Sequence, residues 1–212
     1  RRFMRLTARA CSPNTNINLP DSGMPIAQDY VIENGELYVG VGDTQWFFHS
    51  PTRLMEVFWI CARHKVPLSH GVERMVTASL DLVNDAFRES DVVRRFFLAI
   101  CNHPLQAGHA LRQAASLGLL GRYIPEFADV DNVIRYADFH SYPVGEHTLR
   151  AIEALANLEN VPGAVGRCLR EAIENLSDPY ILVLAILFHD LGKVHGDVHV
   201  EESVKLTRLI CE

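Results

Sequence analysis

Apolar residues recur at helical spacing through most of the chain downstream of Pro51. Leu54, Val57, Phe58 and Cys61 fall at i, i+3, i+4 and i+7 and line one face of a helix. Similar patterns over 70–87, 91–101 and 104–117 predict further helices. Gly118 and Gly121 mark stops or turns, and Pro125 ends any helix running through Tyr123, because its ring lacks an amide proton and crowds the preceding turn. Helices are predicted again over about 146–158 and 164–175. Ser177-Asp178-Pro179 opens another, with Asp178 placed to cap free amides and Pro179 at the first helical position. It is expected to run to about His189, with Leu182, Ala185, Ile186 and His189 on its buried face. Residues 200–212 begin one more helix.

Upstream of Pro51 the pattern changes. Tyr30 to Val39 alternates β-formers around Asn34-Gly35, a pair that tolerates the positive φ of a tight turn, so one hairpin is predicted. A lone ribbon is marginal in water, so it should pack on helices, sealed by Trp46, Phe47 and Phe48. Residues 11–29, rich in Pro, Gly, Asn and Asp, resist regular structure. The expected fold class is mainly α, a helical bundle with a preceding helical subdomain and one small β-hairpin. The expected division is 1–29 as a linker or the end of a missing upstream domain, 30–135 as hairpin plus helical subdomain, and 136–212 as a second helical domain.

The chain has 212 residues, 48% of them hydrophobic, enough for a substantial core. A formal charge of −6 argues against broad binding to nucleic acid, whose phosphates reward clustered Lys and Arg. The longest apolar run, Tyr180 to Phe188, falls far short of the roughly 20 residues a membrane span needs. Cys11, Cys61, Cys101, Cys168 and Cys211 are dispersed, without a Cys-x-x-Cys pair, and read as reduced, mostly buried thiols of a cytoplasmic protein.

The chemistry concentrates near one helix end. In Leu187-Phe188-His189-Asp190-Leu191-Gly192-Lys193 an imidazole and a carboxylate are adjacent, and His147 and His199 lie upstream and downstream. Nitrogen and carboxylate donors of this kind suit first-row divalent metals such as Mn, Fe or Zn. For a shared cation, the ring of His147 must come within about 10 Å of the 189/190 pair.

These residues resemble the HD superfamily of metal-dependent phosphohydrolases. The segments Asn84 to Arg88, Leu119 to Phe127 and Phe139 to Leu149 go further and resemble the central region of the bacterial PII uridylyltransferase/uridylyl-removing enzymes, a likeness extending over roughly 30–210. The resemblance implies an HD domain over 136–212 that removes uridylyl groups from the nitrogen-signalling protein PII by phosphodiester hydrolysis. It implies His147, His189, Asp190 and His199 as metal ligands and Asp190 and Lys193 as catalytic groups, with Lys193 holding a substrate phosphate; Arg150, one turn after His147, is a further candidate phosphate binder by position. His140 would orient a ligand from behind. The implied cofactor is a divalent metal, Mn or Mg, with Fe or Zn as alternatives.

One departure matters. The superfamily takes its last metal-binding aspartate from a downstream helix, and no aspartate follows His199 here. The chain is therefore expected to stop short of that ligand and of glutamine-sensing ACT domains. The nucleotidyltransferase half is also missing, since no Gly-Ser followed by Asp-x-Asp appears. Competing readings are an HD phosphohydrolase acting on free nucleotides and a non-catalytic HD regulatory scaffold.

Overall fold

The computed structural model describes residues 30–39, 43–131 and 142–211. The stretch 1–29, the expected boundary at 135/136 and His140 lie outside the described residues.

Strands β1 (Tyr30–Glu33) and β2 (Glu36–Val39) pair antiparallel, with Tyr30 opposite Val39 and Glu33 opposite Glu36. Asn34 at φ 52° and Gly35 at φ 78° make the predicted turn. The hairpin docks through Leu37, fully buried, whose amide donates to the Pro67 carbonyl at 2.8 Å and whose carbonyl accepts from Ser69 at 2.9 Å. Trp46 and Phe47 of helix α1 (Trp46–His49) are buried as expected, whereas Phe48 is exposed.

Helix α2 (Arg53–His64) is buried continuously from Leu54 to Ala62, so the predicted stripe is only part of its apolar surface. The pattern over 70–87 does not form one helix. It divides into α3 (His70–Ala78), which ends at Ser79, a 3₁₀ turn at Leu80–Leu82 and α4 (Asp85–Arg88), which Asn84 starts by adopting an extended backbone and accepting the Phe87 amide as a cap. α5 (Asp91–Cys101) and α6 (Pro104–Ser116) follow as predicted. Gly118, at φ 84°, turns the chain into α7 (Leu119–Tyr123), and Pro125 starts α8 (Pro125–Asp131). Gly121 is not a stop; it lies within α7 against Ala128, where a Cβ would stand 3.0 Å from the Ala128 Cβ.

The second half contains α9 (Val144–Asn157), α10 (Gly163–Glu174), α11 (Pro179–Phe188), a 3₁₀ segment (Leu191–Val198) and α12 (His199–Cys211). α2 packs on α5 and α6, α6 lies along α9, and α11 wedges against α5, α6 and α9. One buried cluster therefore runs from Leu37 to Ile210. Its centre is aromatic: Trp59 meets Phe96 at 5.6 Å, and Tyr123 meets Phe97 edge-on at 5.1 Å.

Among the described residues no single helix is long and apolar enough to cross a membrane.

Candidate metal centre

α11 brings the His-Asp pair to the site, though not by the expected face. Tyr180, Val183, Leu187 and Phe188 are buried, while Ala185 is exposed and the His189 side chain is 41% accessible. The helix reads PYILVLAILF and is apolar all round, so periodicity cannot choose which side faces inward. Asp178 also fails as a cap; at φ −132° and ψ 73° it lies off the usual extended cap geometry and makes no side-chain bond to the helix. Pro179 does occupy the start.

At the other end, His189 and Asp190 leave the helix just as α9 passes. The His147 and His189 ring centroids are 5.9 Å apart, well inside the required distance. One ligand atom from each of His147, His189 and Asp190 falls within 4.8 Å of the others, and no other group of three such residues converges among those described. His199, at the start of α12, is outside this group.

The electrostatics centre on Asp190. Its Oδ2 stands 2.9 Å from His189 Nε2 and 2.6 Å from Lys193 Nζ. Both contacts fall on the same buried carboxylate oxygen. Burial pushes the Asp190 carboxyl up, but His189 and Lys193 outweigh it and hold the group at about 2. The same partnership, ahead of the opposing effect of burial, raises His189. His189 Nδ1 lies 2.7 Å from the Ile186 carbonyl, to which it donates. That bond leaves Nε2 as the nitrogen facing Asp190.

Lys193 is largely buried, with its ammonium turned onto Asp190. Arg150 is tied elsewhere: its Nε donates to Glu146, and its guanidinium stacks 4.0 Å above the Tyr142 ring. His195 falls within the 3₁₀ segment.

Several supporting residues are absent from the sequence reading. Glu146 also accepts from Arg112 on α6 at 2.7 Å, and Arg112 grips Glu153 on α9 with both Nε and a terminal nitrogen. The Glu146–Arg150 spacing of i, i+4 announces that pair, but nothing in the sequence announces Arg112. Ser203 of α12 accepts the Gly192 amide at 2.9 Å. Gly192 hints at a close backbone approach without revealing the partner.

With this geometry in place, comparison with known proteins is informative. Residues 30–123 match the family described as the uridylyltransferase GlnD third domain. The chain is similar to the bifunctional uridylyltransferase/uridylyl-removing enzyme of Rhodopseudomonas palustris, 27% identical over 89% of this chain and 20% of that protein. Its counterpart from Ruegeria pomeroyi is 30% identical over 87% of this chain and 20% of its own length. The one from Nitrosococcus oceani is 31% identical over 88% and 21%, so the chain spans about a fifth of the curated relatives it matches. Over most of its length, then, this chain is similar to the bifunctional uridylyltransferase/uridylyl-removing enzymes, and residues 30–123 match the uridylyltransferase GlnD third domain.

Proposed function

We propose that the chain supplies the hydrolytic, uridylyl-removing centre of such an enzyme, an HD-type site using a divalent cation, Mn or Mg, to release UMP from a uridylylated tyrosine of PII. The observation that carries this reading is the convergence of His147, His189 and Asp190 from two separate helices. The donor set fits a cation. Two bonds of about 2.1 Å span about 4 Å, close to the observed separation. Two imidazoles and an anionic carboxylate are donors of the kind a first-row divalent cation takes.

His147, His189 and Asp190 would hold the cation, which when bound would lower the pKa of a water and offset charge growing on phosphate oxygens. The chain's own residues do the rest. Asp190 is kept anionic at neutral pH by its neighbours, and His189 is oriented through the Ile186 carbonyl. Lys193 places its side-chain nitrogen beside Asp190, where it would meet a phosphate oxygen entering the site. Water adds in line to phosphorus as the bond to the tyrosine oxygen breaks, yielding free tyrosine and UMP.

The test is UMP release from uridylylated PII with Mn²⁺ or Mg²⁺. Loss of release in the His189→Ala, Asp190→Ala double variant is expected, and undiminished release there rejects these roles. Hydrolysis of free nucleotides in preference to uridylylated PII would replace the substrate.

A further inference from the structure

The turn that carries the acid and the ammonium is held from outside. Lys193 N–H donates to the Asp190 carbonyl at 3.0 Å, closing the turn on itself, but Asp190 makes no side-chain capping bond to the 3₁₀ segment it precedes. α12 supplies what is missing. The Gly192 amide lies between those two residues and donates to Ser203 Oγ at 2.9 Å in a buried bond spanning eleven positions. The fit is close: a Cβ on Gly192 would stand 2.1 Å from the His199 carbonyl oxygen and 2.5 Å from the Ser203 nitrogen. Ser203 itself is only 5% exposed, on the face of α12 that also buries Ile210 two turns on.

We propose that Ser203 is a positioning residue for the metal centre: by fixing the Gly192 amide it sets the direction in which Asp190 and Lys193 present their charges toward His147 and His189. The proposal rests on the metal reading above. Without the hydroxyl a buried N–H is orphaned, and the turn must shift to find another acceptor or water. Asp190 is two residues away and cannot keep its aim through that shift. Groups that orient ligands from behind typically change metal affinity by about 10–100-fold, and Ser203 acts through one further link, so about tenfold is expected.

The experiment is calorimetric titration of the 212-residue chain with Mn²⁺, well below the melting transition. Four proteins are compared: wild type, Ser203→Ala, Ser203→Thr and His189→Ala. The expected result is binding by wild type, none by His189→Ala, about tenfold weaker binding by Ser203→Ala and recovery to within about twofold by Ser203→Thr. A purely structural serine would lower the melting temperature and leave the affinity of the folded protein unchanged. Wild-type affinity in folded Ser203→Ala, with His189→Ala silent, overturns the Ser203 proposal and spares the metal centre. Failure of wild type to bind, or equal binding by His189→Ala, overturns the metal centre and the proposal with it. Should Ser203→Ala unfold, Ser203→Cys, which keeps the volume with a poorer acceptor, is read by the same two outcomes.

Discussion

Gly108 on α6 faces Glu153 on α9 so closely that a Cβ on the glycine would stand 2.8 Å from the Glu153 Cα and 3.0 Å from its nitrogen. The obstruction is backbone, which cannot rotate away. Gly108→Ala should therefore push α6 and α9 apart, and overpacking of this kind typically costs about 1–3 kcal/mol. A thermal melt should show the loss. Because α9 carries His147, Mn²⁺ affinity should fall as well; an unchanged melt would mean that the two helices do not meet as described.

Arg112 fastens the same helix pair. Its fork takes both oxygens of Glu153, and a third nitrogen reaches Glu146, so one cation satisfies two carboxylates. All three side chains are roughly a quarter to a third accessible, which weakens the interaction through solvent screening. Arg112→Met should destabilise the fold by about 1–2 kcal/mol. A double-mutant cycle with Glu153→Gln, followed by denaturant unfolding, should return a coupling energy of at least about 0.5 kcal/mol. A coupling near zero would reduce the network to surface decoration.

How much of this was legible in the chain follows from what each feature depends on. The Asn34-Gly35 turn, the Pro179 helix start and the stripes of α2, α5 and α6 depend on neighbours a few residues away, and pattern reading finds them, whereas Pro125, read only as a helix stop, also opens α8. The His147, His189 and Asp190 grouping was reached through motif and resemblance, and the helices bring it together. Features set by tertiary contact were not legible. α11 has no polar face to orient it, so the inward side was misjudged. The break between Ser79 and Asn84 hides within an acceptable helical pattern, since a cap is chosen over continuation only when α4 must turn. Arg112 and Ser203 are ordinary polar residues until a partner 34 or 11 positions away is known.

The cysteines separate by environment. Burial pushes the Cys61 thiol up to about 12 and raises Cys101 as well, and both are buried, whereas Cys168 is exposed and Cys211 is half-buried. Thiolate is the reactive form, so Cys61 and Cys101 are inert near pH 8 on both counts. Among the cysteines of the described residues, iodoacetamide labelling followed by peptide mass spectrometry should mark Cys168 first and Cys61 and Cys101 only after denaturant is added. Fast labelling of Cys61 in the folded protein would contradict its place in the core.

Arg150 and Lys193 both stood as phosphate binders in the sequence, and the structure gives them different means of acting. Arg150 donates to Glu146 and lies over Tyr142 on an exposed face, so a phosphate would have to compete for a guanidinium already engaged. Lys193 sits against Asp190, beside the cluster, in a poorly solvated position where a charge is less screened than at the surface. Lys193→Met should therefore reduce UMP release by about a hundredfold, the size typical of losing one charged group that stabilises a transition state. Arg150→Met should cost no more than about threefold, because a screened surface cation contributes about 1 kcal/mol or less. Turnover of uridylylated PII at saturating Mn²⁺ measures both. The reverse ranking would place the phosphate on the Tyr142 side of α9 and leave Lys193 as a structural partner of Asp190.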